Sequence, residues 1–393
     1  MIAAMAWLTP MSSYATQRDQ AKRIYDRIAG VPPDAATLTN MVSEMNATNA
    51  VNAALIYATQ APEFYNVTLK NWAAPWTNRD DFVFVPLDDY IATVIGMVRD
   101  DADFRELLHG NYLYTGSGAG IPAYSPNNNN HYEALENAGT DLQANLQRTN
   151  QSQVSDVPDG ATAGVMTTRS AAKAFFIDGT NRAMFRFTMK NHMCNDMEQV
   201  KDTTRVPDRI RQDVSRSPGG DSRIFLNNCI GCHSGMDPMA QAFAYYDYVY
   251  DVVNDPDGMN GAIRFNDTGE IDAVTGTRVV SKYFNNNATF EQGFITTTND
   301  WGNYWRAGPN MLLGWDSGLP GSGTGAKSMG RELANSDAFA QCQVEKVFAN
   351  VCLRPPQDSV DRGQVDAMVT SFRTSGFNLK QVFAESAVYC MGD

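Results

Sequence analysis

Length, composition and charge set the first limits on this chain. It has 393 residues, of which 43% are hydrophobic and 19% are charged, and this composition excludes global disorder. One core usually stops growing at ~250–300 residues, so we expect two domains, or one domain with a large appendage. The net charge of −13 disfavours nucleic acid as a partner, because an acidic surface repels phosphate backbones. No run approaches the ~18 apolar residues of a membrane helix, so the chain is not expected to span a bilayer.

The first half of the chain predicts a helical N-terminal domain over residues 1–150. From apolar periodicity and cap residues, helices are expected at 16–29, 35–45, 48–60 and 87–99. A break rich in Gly, Pro and Asn follows at 115–130. It precedes one amphipathic helix whose apolar side carries Leu135, Ala138, Leu142 and Leu146. The polar stretch 149–164 is the expected domain boundary, and its alternative is a long surface loop within one domain.

The second half predicts a mainly α domain over residues 165–393. Helices are expected at 168–176, 181–200, 225–232 and 236–250. The alternating segment 262–283 contains two turn signals that end in Gly, and it predicts a small β-hairpin. A Gly- and Trp-rich loop at 300–330 is expected to precede three C-terminal helices. One of these, at 338–351, should begin at a cap formed by Ser336 and Asp337.

Residues 229–233 read Cys-Ile-Gly-Cys-His, the C-x-x-C-H pattern of covalent haem c attachment. Two thiols one helical turn apart can add across the two vinyl groups of one haem, and the adjacent imidazole then becomes the proximal iron ligand. Cys229 and Cys232 are therefore the expected thioether anchors, and His233 is the expected proximal ligand. The alternatives are half of a zinc site, a redox C-x-x-C or a chance pair. Zinc would require two further Cys or His residues at similarly close spacing, which the sequence does not have.

Haem attachment also predicts the compartment. Haem c is attached outside the cytoplasm, so a periplasmic or extracellular location is expected. Residues 1–15 are apolar with small side chains, but they lack a basic start and are short for a signal peptide. Either the precursor begins upstream, or this segment is an atypical remnant, and both interpretations stay open.

The remaining four cysteines are Cys194, Cys342, Cys352 and Cys390. An oxidising compartment favours two disulfides among them. On a continuous helix, Cys342 and Cys352 would be ten residues, or ~15 Å, apart, which exceeds the ~7 Å that a disulfide can span. Each should therefore pair with Cys194 or Cys390, which would fasten the C-terminus to the second domain. Four reduced, buried thiols are the alternative.

The sequence after the motif carries a family resemblance. Residues 234–238 read Ser-Gly-Met-Asp-Pro, and Ala-Phe at 242–243 and Tyr-Tyr-Asp at 245–247 follow. This stretch resembles the C-terminal region of planctomycete-type c-type cytochromes, and Phe-Ala-Gln-Cys at 339–342 is similar to that family's closing domain. The resemblance covers roughly residues 168–354. It implies one covalent haem c and the fold that holds it, but little about activity, because that family is of largely unassigned function. The family usually has Leu and Gly at the positions of Met239 and Ala240. The contacts that this glycine makes in the family are therefore not expected to be the same here.

The second axial ligand decides what a haem c does. Two strong ligands suit electron transfer, and an open site suits small-molecule binding or activation. His192, on a predicted helix beside Cys194, is the first candidate, and its alternative is a hydrogen-bonded structural histidine. Met311 on a Gly- and Pro-containing loop is the second candidate, and its alternative is a methionine that fills a gap in the core. Met236 is three residues from His233 and cannot reach the opposite haem face, so we expect it to pack at the haem edge.

Basic and aromatic residues around the motif are further candidates. Guanidinium groups suit carboxylates, so four arginines could bind the haem propionates, namely Arg209, Arg211, Arg216 and Arg223. The alternative is a solvated basic face. Four aromatic residues could line the haem pocket or simply fill a core, namely Trp301, Tyr304, Trp305 and Trp315.

Together these patterns predict a mainly α protein. A helical N-terminal domain would be followed by a helical haem-c domain. The second domain would have a small β-hairpin insertion and C-terminal helices that are held by disulfides. The expected function is that of an exported monohaem c-type cytochrome that performs single-electron transfer with protein redox partners. One alternative is a pentacoordinate haem enzyme acting on oxygen, peroxide or a small apolar substrate. A second is a haem-bearing subunit of a larger assembly or filament, with residues 1–150 as its docking module.

Overall fold

The computed structural model describes residues 15–205, 208–210, 222–267, 269–271, 273, 276–283 and 294–392. Over these residues the chain is mainly helical, with three short antiparallel strand pairs, and the predicted mainly α class is confirmed. The expectations for residues 1–14 and for Arg211 and Arg216 lie outside the described residues. No helix within the described ranges is both long enough and apolar enough to cross a membrane.

The first half is built from short helices. Its α- and π-helical segments are Gln17–Ala29, Ala35–Ala47, Ala50–Ala53, Ala54–Ala58, Phe64–Leu69, Lys70–Ala73, Asp89–Arg99, Asn130–Asn137, Leu142–Asn145 and Gln151–Val154. Its 3-10 turns are Ala74–Thr77, Phe104–Leu108, Asp159–Ala161 and Gly164–Thr167. A strand pair joins Leu113–Thr115 to Gln147–Thr149.

Local capping explains why the first helices form where the sequence predicts them. Thr16 and Asp19 cap each other reciprocally at the start of the first helix, and Gly30 ends that helix in the left-handed conformation at φ 78°. Asp88 accepts a hydrogen bond from the backbone of Ile91 at the start of Asp89–Arg99. Cap chemistry is local, so it can be recognised in the sequence without knowledge of the packing.

Two predictions for the first half need correction. The amphipathic helix expected through Leu135 and Leu142 is two helices, because Gly139 adopts a positive φ of 58° and breaks the hydrogen-bond ladder between them. The helical segments over residues 64–77 were not predicted, because Pro75 and the aromatic residues there mask the helical periodicity.

The second half contains the longer helices. Its helical segments are Arg169–Phe176, Asn181–Met193, Ser222–Ile224, Phe225–Cys229, Ile230–Ala240, Gln241–Phe243, Ser281–Tyr283, Tyr304–Arg306, Pro309–Leu313, Gly325–Ala334, Asp337–Cys352, Ser359–Thr374 and Leu379–Tyr389. The strand pairs are Tyr246–Tyr250 with Gly261–Phe265 and Asp300–Gly302 with Ser322–Thr324. Ser336 caps Asp337–Cys352 as predicted. The segment 300–330 is not all loop as predicted, because the helix Gly325–Ala334 begins within it, and three further helices follow that helix.

The β-hairpin lies upstream of its predicted position. Gly261–Phe265 pairs with Tyr246–Tyr250, with Tyr248 opposite Ile263, whereas the sequence predicted a helix over 236–250. The alternation of Tyr with Asp and Val buries Tyr246 and Tyr248 on one face of the strand, a pattern that suits a strand better than a helix. The turn is held by Asp255, which accepts hydrogen bonds from the backbone of residues 259 and 260.

The disulfide prediction is confirmed. Cys194 pairs with Cys342, and Cys352 pairs with Cys390, with Cα–Cα distances of 5.3 and 5.5 Å. Cys342 and Cys352 lie on one continuous helix, as expected. The two bridges therefore connect that helix to the end of Asn181–Met193 and to the end of the last helix.

The core draws on both halves of the chain. The ring of Phe64 packs edge-to-face on Phe383 of the last helix, with centroids 5.0 Å apart. Arg23 in the first helix donates to the Met391 carbonyl oxygen at 2.7 Å. The boundary expected at 149–164 stays a prediction, and buried residues on both sides of it belong to one hydrophobic cluster.

Candidate functional site

The Cys-x-x-Cys-His motif lies at the junction of two helical segments. Phe225–Cys229 forms one π-helical turn, and the α-helix Ile230–Ala240, called the motif helix below, continues from it. π-helical turns occur frequently at functional sites. Leu226 is 55% exposed although it is apolar, so the motif lies at the protein surface with an apolar side chain beside it.

Cys229 and Cys232 are free and half-buried. The Cys232 thiol lies 3.4 Å from the Met197 carbonyl oxygen, to which it can donate a weak hydrogen bond. Burial raises the pKa of the Cys232 thiol, so it is protonated at neutral pH. In a redox C-x-x-C pair the attacking thiol has a lowered pKa. The raised pKa of Cys232 therefore makes it unsuited to be that attacking thiol.

His233 is held by a carboxylate on its own helix. Its Nδ1 lies 2.8 Å from Oδ1 of Asp237, one helical turn further along. With Nδ1 as the donor of this hydrogen bond, the neutral form of the imidazole has its proton on Nδ1 and its lone pair on Nε2. The Phe225 ring lies beside the imidazole, with centroids 6.5 Å apart. A neutral imidazole with one free ring nitrogen is the form that ligates a metal.

Two glycines let neighbouring segments approach the motif helix closely. A Cβ at Gly231 would lie 3.1 Å from the Thr203 side chain, and the Asp202 backbone N–H donates to the Gly231 carbonyl oxygen at 2.8 Å. A Cβ at Gly235 would lie 1.9 Å from Nε1 of the buried Trp305. Since residues two apart on a helix point to opposite sides, Trp305 supports the side of the motif helix away from His233.

The motif is not a compact metal site. In the part of the chain that the structure describes, no group of three or more His, Cys, Asp or Glu side chains could hold a metal ion. Cys229, Cys232 and His233 therefore lack the tetrahedral ligand arrangement of a structural zinc site. The groups of this segment that could hold a cofactor are the two thiols and Nε2 of His233.

His192 lies in the core of the protein. It is 1% exposed, its Nε2 is 2.6 Å from the Tyr90 hydroxyl oxygen, and its ring packs edge-to-face on Trp76. Burial, aided by the nearby charge of Lys346, holds the pKa of His192 well below its usual range. Ligation of iron by His192 stays a prediction. It would require Nε2 to give up Tyr90, or Nδ1 to serve as the ligand, since Nδ1 has no hydrogen-bond partner among the described residues.

The two methionines singled out in the sequence have different surroundings. Met311 lies on the 3-10 turn Pro309–Leu313 and is 58% exposed, so it sits at the surface. Met236 is buried on the motif helix, one turn from His233. Their predicted roles, as second-choice distal ligand and as packing at the haem edge, stay predictions.

Two of the four arginines fall within the described residues. Nη1 of Arg209 lies 3.4 Å from the Asp300 carbonyl oxygen, and its guanidinium group is 6.0 Å from the Tyr304 ring centroid. Arg223 is exposed in the short helix Ser222–Ile224, which precedes the turn Phe225–Cys229. Their role in binding propionates stays a prediction. Arg205, which was not predicted as a site residue, donates to the Tyr304 carbonyl oxygen.

The predicted aromatic group includes a residue that contacts the motif helix. Trp305 is fully buried against Gly235, and Nε1 of Trp315 donates to the Trp305 carbonyl oxygen at 3.0 Å. Trp301 lies in the adjacent strand and donates to Ser328 at 2.7 Å. These residues lie on the side of the motif helix opposite His233.

The contact of Asp237 with His233 was not predicted from the sequence. The two residues are four positions apart on a helix, and this spacing alone predicts that their side chains can meet. In the sequence, Asp237 stands out only as part of the family resemblance.

Comparison with protein-family models, with curated proteins and with solved structures finds no match to this chain.

Proposed function

We propose that this chain is an exported monohaem c-type cytochrome, similar to the planctomycete-type cytochromes, that performs single-electron transfer with protein redox partners. The observation that carries the proposal is the state of the six cysteines. Four are paired in disulfides, and the two of the C-x-x-C-H motif are free beside an imidazole whose Nε2 is available. A chain in an oxidising compartment that leaves only these two thiols unpaired favours a covalent use for them.

The residues present fit a covalently held haem. In thioether formation, each S–H adds across one vinyl double bond, so that sulfur bonds to one vinyl carbon and hydrogen to the other. The half-buried thiols of Cys229 and Cys232, one helical turn apart, would supply these S–H groups. His233 would hold the iron through Nε2, with Leu226 and Phe225 offering apolar surface beside it. When bound, the haem supplies a one-electron Fe(III)/Fe(II) couple.

The surface position of the motif supports electron transfer over the enzymatic alternative. Outer-sphere transfer needs a cofactor edge that a partner protein can approach. The His233 side chain is 19% exposed and Leu226 is exposed, so this segment faces solvent.

Export is supported by the two disulfides. Disulfides persist in secreted and periplasmic proteins, whereas the cytoplasm keeps thiols reduced. Covalent haem attachment requires the same side of the membrane. The periplasm or the cell exterior is therefore the proposed location.

The proposal is tested by covalent haem retention. Wild-type protein, exported from cells that attach haem c, should keep a haem-stained band on a denaturing gel. The double variant Cys229→Ala/Cys232→Ala should lose the band. The matched control Cys352→Ala/Cys390→Ala removes the same number of cysteines elsewhere and should keep it. An unstained wild-type band would refute the proposal.

Spectra of the oxidised protein distinguish electron transfer from the enzymatic alternative. Low-spin iron in the EPR spectrum would indicate two axial ligands and electron transfer, whereas high-spin iron would favour the enzymatic alternative. A low-spin signal that becomes high-spin in His192→Ala would assign His192 as the distal ligand. The same change in Met311→Ala, with loss of a sulfur-to-iron charge-transfer band, would assign Met311.

A further inference from the structure

The motif helix contains a buried carboxylate whose surroundings are unusual. The Asp237 side chain is 2% exposed, and its Oδ1 accepts from Nδ1 of His233 at 2.8 Å. Its Oδ2 is buried and has no hydrogen-bond partner among the described residues. Burial of a polar oxygen without a hydrogen-bond partner is costly, so an unpaired buried oxygen calls for an explanation.

The orientation of this contact has a chemical consequence for the other ring nitrogen. A carboxylate that accepts from Nδ1–H draws the proton toward itself and increases electron density on the imidazole ring. The effect is largest where the carboxylate is buried, because a low dielectric strengthens the hydrogen bond. Nε2 then becomes a stronger donor toward a metal, and the hydrogen bond also fixes the direction in which Nε2 points.

We propose that Asp237 is a positioning residue for the haem iron: it orients His233 and strengthens its Nε2 as a ligand, which lowers the haem reduction potential. The inference rests on the proposed function, since it concerns the same haem. A stronger donor stabilises the more positive Fe(III) state over Fe(II). Hydrogen bonding to an axial ligand is one of the means by which a protein sets the potential of a haem.

A haem with a lowered potential gives up its electron readily. The partner expected to receive that electron is a redox protein of higher potential. Asp237 would thereby favour electron flow from this chain toward such a partner.

A neighbouring carboxylate provides a matched control. Asp202 is 3% exposed, and its backbone N–H bonds to the Gly231 carbonyl oxygen of the same motif helix. Its carboxylate accepts from the backbone N–H and the hydroxyl of Thr204 instead of an imidazole. Asp202→Asn thus removes one buried carboxylate near the motif and leaves the His233 hydrogen bond intact.

The test is a spectroelectrochemical titration of wild type, Asp237→Asn and Asp202→Asn, each first checked for covalent haem. Asp237→Asn should shift the midpoint potential to more positive values, and Asp202→Asn should stay near wild type. An unchanged potential in Asp237→Asn, or an equal shift in both variants, would overturn the inference. Wild type without haem would instead refute the proposed function, so the two failures are distinguishable.

A measurement on the wild type covers the case in which Asp237→Asn does not fold or loses its haem. Proton NMR of the oxidised protein should show a hyperfine-shifted Nδ1 proton of the proximal imidazole that exchanges slowly with solvent. That signal is expected if Asp237 accepts this proton in a buried hydrogen bond. Rapid exchange of the proton would contradict the assignment of Asp237.

Discussion

The close approach of Trp305 to Gly235 defines the most constrained position on the motif helix. Gly235→Ala would place a Cβ 1.9 Å from Nε1 of a fully buried indole, so the side chain or the helix must shift. Overpacking of this kind costs about 1–3 kcal/mol of unfolding free energy. Urea denaturation of the variant should show a correspondingly lower midpoint.

Gly363 provides the control for this prediction. It lies in the helix Ser359–Thr374 with open space around its Cβ position. Ala is the better helix former by about 1 kcal/mol, so Gly363→Ala should stabilise the protein. Equal behaviour of the two variants would contradict the tight packing of Trp305 on the motif helix.

The two thiols of the motif should make separable contributions to haem attachment. Cys232→Ala leaves Cys229 as the single anchor, so one vinyl group of the haem stays unsaturated. The pyridine haemochrome band of this variant should move to longer wavelength while some covalent haem is retained. His233→Ala should keep the thioether anchors but lose the native axial ligation and its spectrum. An unshifted band in Cys232→Ala would show that Cys232 is not an anchor.

At the scale of single residues, the sequence reveals covalent and capping chemistry but not tertiary contacts. The C-x-x-C-H motif and the cap at Thr16 are recognisable because their partners are local in the chain. Trp305 could not be assigned to Gly235 because seventy positions separate them, and only the folded chain brings them together. The His233–Asp237 contact lies between these cases, since helical spacing permits it but does not require it.

The two disulfides should differ in their contribution to stability. They close segments of 148 and 38 residues, and chain-entropy reasoning gives about 5 and about 4 kcal/mol for loops of those lengths. Cys194→Ala/Cys342→Ala should therefore lower the unfolding free energy by about 1 kcal/mol more than Cys352→Ala/Cys390→Ala. Chemical denaturation of both double variants measures this difference. A larger loss in the second variant would contradict the prediction.

The C-terminal helices meet at the carboxylate of Asp361. It accepts from Nη2 of Arg354 at 2.9 Å, from the backbone N–H of Gln357 at 2.8 Å and from the Tyr389 hydroxyl at 2.8 Å. The hydrogen bond from Arg354 is the first cause that holds the pKa of Asp361 well below its usual range. The carboxylate therefore stabilises the fold above its unfolded-state pKa of about 3.9, and this contribution is lost as the pH falls further.

Asp361→Asn should accordingly destabilise the protein at pH 7 and have progressively less effect as the pH falls below about 4. Thermal denaturation of both proteins between pH 7 and pH 3 measures the difference. Asp366→Asn, at an exposed position of the same helix, is the control and should have little effect at either pH. A difference between wild type and Asp361→Asn that grows toward low pH would contradict the prediction.

At the scale of elements, the sequence predicts helices that have strong caps. It does not predict elements, such as one strand, that form only because they pack against a distant segment. The helix Asp337–Cys352 follows its Ser336 cap closely, which made the exclusion of a Cys342–Cys352 disulfide reliable. The strand Tyr246–Tyr250 was predicted to be helical, because a short aromatic run suits either state until a partner strand is available. Its partner, Gly261–Phe265, lies across a ten-residue turn and gives no local signal.

At the scale of the whole molecule, the N- and C-terminal segments pack on each other. Phe64 contacts Phe383, and Arg23 donates to the chain near residue 391. This packing was not predictable from the sequence, because no motif in the first half identifies its partner in the second. Size measurement over a range of concentrations addresses the alternative of a larger assembly, since a monomer throughout argues against a filament.

The most direct test of the proposed function is the intact mass of the denatured, exported protein. We predict the mass of the chain plus one haem, unchanged by denaturation, with four further cysteines joined as two disulfides. The mass of the chain without haem, in protein from cells that attach haem c to other cytochromes, would contradict the assignment of Cys229, Cys232 and His233 as a haem site.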